Sequence, residues 1–144
     1  MAGPIVSNDA LSRFVDAQGP VYEQVRAELV AGKKVSHWMW FVFPQLRGLG
    51  SSAMATRYGL ASRGEAIAYW QHPLLGRRLT ECSRLVLAVH GRSAFEIFGQ
   101  PDDMKFRSCM TLFANCVDGE PLFLEALSRY YAGKQDEKTL ALLA

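Results

Sequence analysis

Glycine and proline cut this chain into helix-length, helix-patterned stretches, and that punctuation limits the fold more than any other feature. Leu11, Phe14 and Val15 share one face behind Asn8 or Asp9 as a cap, and Gly19-Pro20 breaks the run. Val21, Val25 and Leu29 resume helical spacing as far as Gly32, a natural C-terminal stop. Ser51 or Ser52 opens a short helix through Tyr58. Ser62 with Glu65, and Ser93 with Glu96, have the spacing of capping boxes. In that motif the hydroxyl accepts from a first-turn N–H while the carboxylate reaches back to the cap's own N–H. The first box starts a helix carrying Ile67, Tyr69 and Trp70 that ends near Pro73; the second starts a short helix ended by Gly99. Between them Pro73 suits a first turn, Leu75, Leu79, Cys82, Leu85, Val86 and Val89 form an apolar stripe, and Gly91 closes it. Pro101-Asp102-Asp103 begins a helix to about Cys116, and Pro121 begins another with Leu124, Leu127 and Tyr131 inside and Gly133 at its end. Asp136 caps a last short helix. "WMWFVF" alone has strand-like composition, and it is too short to build a sheet. The expectation is an all-α fold. It is one helical domain over residues 1–144, about seven to nine short helices packed irregularly, with residues 1–8 a flexible N-terminus.

Bulk properties remove several function classes. With 49% apolar residues the chain can bury a proper core, and a net charge of +2 with interspersed signs is too mild to argue for nucleic acid, which is not expected as a partner. No apolar run approaches the roughly 18–20 residues of a membrane span, so no membrane partner is expected. "MAGPIVSNDALSRF" lacks the basic and apolar regions of a signal peptide. Cys82, Cys109 and Cys116 are an odd set without a CxxC; on one helix Cys109 and Cys116 would lie about 10 Å apart along the axis, too far for a disulfide. Buried reduced thiols in a cytoplasmic protein are the plain reading, a catalytic cysteine the other. His37, His72 and His90 are widely spread, so neither a metal nor a cofactor is expected, and no GxSxG elbow is present. Arg77, Arg78 and Arg84 form a basic strip on one helix, read as solvated surface, with nucleic acid the minor alternative.

Three stretches carry whatever chemistry there is. "HWMWFVFPQ" packs Trp38, Trp40, Phe41 and Phe43 behind His37. These rings cannot share one face of a helix or strand, so at least some should turn from the main core. They are either packing under neighbouring helices or the wall of a small-molecule pocket. "PQLRGLGSS" follows with Gln45, Arg47, Gly48, Gly50, Ser51 and Ser52. It is an ordinary loop and helix cap, or a glycine turn whose N–H groups and Arg47 meet an anion. In "DDMKFRSCMTLF", Phe106, Cys109, Met110 and Phe113 face inward, and Lys105, Ser108 and Thr111 or Leu112 fall on a neighbouring strip. That strip is a solvated face or the polar side of a pocket. His37, Asp102 and Lys105 are the acid–base candidates.

"GKKVSHWMWFVFPQLRGLGSS", "RYGLASRGEAIAYWQHPLLGRRLTEC" and "IFGQPDDMKFRSCMTLFA" resemble a bacterial family of unknown function, some of whose members carry the label calpastatin. The resemblance spans roughly Phe14 to Tyr131 and implies a mostly helical single domain. This chain has the composition of a folded globule, whereas calpastatin inhibitory segments are disordered. "AYWQHPLLGRRL" and "IFGQPDDMKFRS" are more faintly similar to the NADAR (YbiA-like) family, which implies a nucleotide- or ADP-ribose-like ligand. Ser36-His37 stands where that family's pattern starts with Glu-His.

Two functions are thus in view. One is a small-ligand protein, enzyme or not, binding through His37, Trp38, Trp40, Phe43, Gln45, Gly48, Gly50, Ser51, Lys105, Ser108 and Thr111. The other is a protein–protein interaction or homo-oligomerisation module anchored on the aromatic stretch.

Overall fold

The computed structural model describes residues 8–144, with side chains from Ala10 onward. The side chains of Asn8 and Asp9, expected as caps, and segment 1–7, expected with Asn8 to be flexible, lie outside the described residues. The chain runs α1 (Asn8–Gln18), a 3₁₀ turn (Gly19–Val21), α2 (Tyr22–Ala31), α3 (Met39–Val42), α4 (Ala53–Tyr58) and α5 (Arg63–Gln71). It continues with α6 (Leu75–Leu87), α7 (Ala94–Phe98), α8 (Asp102–Cys116), α9 (Leu122–Tyr131) and α10 (Glu137–Leu143). The fold is all-α: among the described residues there is no strand, and one isolated bridge pairs Leu46 with Leu60.

α8 is the hub, packed against α5, α7, α9 and α10. Being covered from several sides, it buries Phe106, Cys109, Met110, Leu112 and Phe113, and also the polar Ser108 and Thr111. Phe43, Phe98 and Phe106 meet at 4.8–6.0 Å between ring centroids. Such pairs add roughly 0.5–1.5 kcal/mol each beyond their burial. α5 and α6 approach so closely that a Cβ on Gly76 would lie 2.0 Å from the Trp70 carbonyl oxygen, so only glycine fits there.

Local signals behave with instructive exceptions. Ser93 and Glu96 make both bonds of a capping box. Ser62 accepts from Glu65 N, but the Glu65 carboxylate goes to Ala61 N at 3.0 Å and Arg13 at 3.1 Å instead of closing the box. α6 begins at Leu75 rather than at Pro73, with Leu74 at the cap position and His72 Nδ1 accepting from Leu74 N and Leu75 N. Leu124, expected inside α9, is 54% exposed, since the inward face is Leu122, Phe123, Ala126 and Leu127. Arg78 is not solvated surface: its guanidinium donates to Gln18 Oε1 and stacks over Tyr22.

Candidate functional site

The aromatic stretch folds around one buried acid. Glu28, 4% exposed, accepts from Val35 N, Ser36 N and Trp38 Nε1 at 2.8–3.0 Å, from Gln24 Nε2, and from the Ser36 hydroxyl. Burial alone would raise this carboxyl. The Ser36 hydroxyl and N–H, the Val35 N–H and the Gln24 amide outweigh it and hold the group at about 2. Residues 33–38 are thereby drawn onto α2, and Trp38 is locked inward. α3, a single turn, then follows, wedged against α1, α4 and α6. A turn enclosed on several sides keeps little solvent face, so Phe41 and Phe43 bury along with Trp38, and only Trp40 of the four rings stays part-exposed. Of the rings expected at least in part to turn from the main core, Trp40 alone does so; that expectation assumed a single buried face.

Beyond α3 the chain returns on itself. Leu60 N donates to Gln45 O and Arg47 N to Leu60 O, both at 2.8 Å. The Arg47 guanidinium reaches Thr56 O and Gly59 O, and Arg13 reaches Arg57 O and Gly59 O. Gly59 lies in this knot with no room for a side chain: a Cβ would sit 2.7 Å from Ala55 O and Arg47 Cα. The loop is thus fastened at its base, and Gln45 to Ser52 stand opposite the outer face of α8.

Between them is a cavity of about 400 Å³. Trp40, Gln45, Gly50 and Ser51 line one side, Met104, Lys105 and Ser108 another, Leu46 and Tyr58 contribute apolar surface, and Asp136 and Lys138 come from the start of α10. Lys105 Nζ sits over the Trp40 ring, 4.7 Å from its centroid, and 3.4 Å from Asp102 Oδ1. The other Asp102 oxygen pairs with Lys34 at 2.7 Å. Asp136 caps α10 by accepting from Thr139 N, and its backbone N–H donates to Thr111 Oγ1. Ser108 Oγ donates to Met104 O, whereas the Gln45 amide and the Ser51 hydroxyl make no hydrogen bond among the described residues.

Six expected site residues, Trp40, Gln45, Gly50, Ser51, Lys105 and Ser108, therefore line one space. Five do not. Trp38 and Phe43 are core, the first held by Glu28 and the second by Phe98 and Phe106. Thr111 is buried and serves α10, His37 is exposed outside the cavity lining, and Gly48 sits beside Leu142 with φ +105°. Asp102 is occupied by two lysines behind the wall, and Arg47 is turned onto α4 rather than toward the cavity. α4 has six residues, and Ser52 already takes Ala55 N, so the glycine turn offers an anion little. Sequence reasoning missed Tyr58, Met104, Asp136 and Lys138. Met104 sits one turn before Ser108 and was within reach of periodicity; Lys138, on the last helix, carried no local signal.

Burial pushes Cys82 up to about 12, and raises Cys109 and Cys116 as well. All three are unpaired. Among the described residues no three His, Cys, Asp or Glu side chains gather as a metal ion would require, and no helix is long and apolar enough to cross a membrane.

Fold and cavity together define a small all-α protein with a ligand-sized recess between α8 and the loop after α3. Over residues 8–143 the chain matches the family described as "Protein of unknown function (DUF1810)", and it belongs to that family. It is similar to the conserved hypothetical protein Rv1873 from Mycobacterium tuberculosis, known from a crystal structure: 60% identity, TM-score 0.91, covering 92% of this chain and 95% of that one. No curated protein matches.

Proposed function

We propose that this protein binds a small ligand in the Trp40–Lys105 cavity. One observation carries the reading: side chains from segments about sixty residues apart converge on one space of about 400 Å³, a size and composition typical of ligand pockets. Trp40 offers a ring face, Lys105 a cation, and Gln45 and Ser51 unpaired polar groups to fix orientation. A nucleotide- or ADP-ribose-like molecule suits this set, its base against Trp40 and its phosphate toward Lys105. Of the three acid–base candidates, only Lys105 lines the cavity. Unpaired thiols support a cytoplasmic setting.

The competing reading, an interaction or homo-oligomerisation module anchored on the aromatic stretch, has less to stand on, because Trp38, Phe41 and Phe43 are buried and of the four rings Trp40 alone is part-exposed. Ligand-observed NMR against a panel of nucleotides and ADP-ribose tests the proposal. Saturation transfer to at least one member, abolished by Trp40→Ala, is expected. Silence across the panel at millimolar concentration, or binding indifferent to Trp40→Ala, overturns it.

A further inference from the structure

Two lysines share one carboxylate at the cavity wall, on unequal terms. Lys34 Nζ lies 2.7 Å from Asp102 with 7% of its side chain exposed; Lys105 Nζ lies 3.4 Å away with 24% exposed. One carboxylate neutralises one ammonium, and the shorter, drier pair is the one to Lys34. Lys105 is left undercompensated, and it is the lysine that lines the cavity. The other acid there, Asp136, is already engaged: Oδ2 accepts from the N–H and hydroxyl of Thr139, and Oδ1 faces Arg107 at 3.8 Å. Lys138 adds a second cation to the wall with no acidic partner among the described residues.

The position of Lys105 adds a second constraint. Its ammonium covers the Trp40 ring, the face on which a planar ligand would stack. A neutral ring must displace that cation without compensation. An anionic ligand draws the ammonium to itself and uncovers the indole in the same movement.

We infer that the cavity selects anions: it takes a planar ring bearing a phosphate or carboxylate, with the ring on Trp40 and the charge on Lys105, assisted by Lys138. This rests on the ligand site proposed above and adds that the anionic charge, rather than the ring, decides which ligands the site accepts.

Matched probes test it: adenosine 5′-monophosphate against adenosine, and 1-naphthoate against 1-naphthamide, titrated by NMR into the wild type, Lys105→Gln and Lys138→Gln. The anionic member of a pair should bind about tenfold or more tightly, an advantage that shrinks as salt is raised. Lys105→Gln should remove most of that preference while leaving the neutral probe bound equally well or better, because the indole face is then free. Equal binding of charged and neutral probes, or an equal loss of both in Lys105→Gln, overturns the selectivity and leaves the ligand site standing. No binding by any of the four overturns the inference and the ligand site together.

Discussion

Trp38 and Trp40 lie two residues apart, yet they live in different chemical worlds. Trp38 is 1% exposed, donates its indole N–H to Glu28 at 2.9 Å, and is flanked by Phe43 and Lys34. Trp40 is part-exposed, makes no indole hydrogen bond among the described residues, and shows a face to Lys105 inside the cavity. Each ring is paired with a lysine, and both lysines meet Asp102. The two halves of this arrangement are similar in composition, but one is closed by internal partners and the other is left open. A tryptophan with its polar atom and both faces satisfied is structure; one with unmatched groups beside a recess is available for binding. Composition cannot make that distinction, and partners can.

The largest expected effect breaks the comparison most directly. Trp38→Ala should cost about 3–5 kcal/mol, the range for emptying a buried aromatic site, and it also strips a donor from a buried carboxylate. Urea unfolding midpoints measure it. Should Trp38→Ala cost no more than Trp40→Ala, the distinction between the closed and open halves collapses.

Glu28 gives the next effect and a pH signature. Its carboxyl is held at about 2 in the folded chain against an ordinary 4.5. A depressed carboxyl stabilises fully above its unfolded value and loses that contribution as pH falls through the folded one. The window is therefore roughly pH 4.5 down to 2, and a shift of this size corresponds to roughly 3 kcal/mol. Glu28→Gln should lower stability at pH 7 by about 2–3 kcal/mol and flatten this acid limb. Chemical denaturation at pH 7, 4 and 3 reads both. A variant with an unchanged acid limb would show that the five donors around Glu28 do not hold its carboxyl low.

Trp40→Ala comes third. It removes a part-exposed ring and a cation–π contact, so a loss of about 1 kcal/mol is expected, together with loss of ligand binding. A stability loss approaching that of Trp38→Ala would make Trp40 a core residue and weaken the case for the cavity.

How much of this was legible from residues alone follows the same division. Most helices were, because glycine, proline and Ser-x-x-Glu act within a few residues; α3 was not, since it forms in the one stretch of strand-like composition. Departures came where another partner competed, as when distant Arg13 and neighbouring Ala61 claimed Glu65 and left the Ser62 box half made. The cavity was legible in part. Lys105 and Ser108 share a strip of α8, and Trp40, Gln45 and Ser51 share a short segment, so each half could be read locally. That Trp38 and Phe43 belong to the core could not be read, because Glu28 is ten residues from Trp38 and Phe106 is sixty-three from Phe43. Nor could Lys138, whose place at the wall depends on Asp136 and Thr111 setting where α10 starts.

The smallest expected change in stability is at Lys105, and it sharpens the comparison most. Its pair with Asp102 is long and partly exposed, and Lys34 remains to neutralise the carboxylate. Lys105→Gln should therefore shift stability by about 0.5 kcal/mol or less, the scale of an exposed ion pair. Thermal or urea unfolding checks this alongside the probe titrations. A residue that contributes almost nothing to the fold and yet decides which ligands enter is what the open half requires. If Lys105→Gln instead destabilises by about 2 kcal/mol or more, Lys105 is a structural partner of Asp102, like Lys34, and the asymmetry between the two lysines is gone.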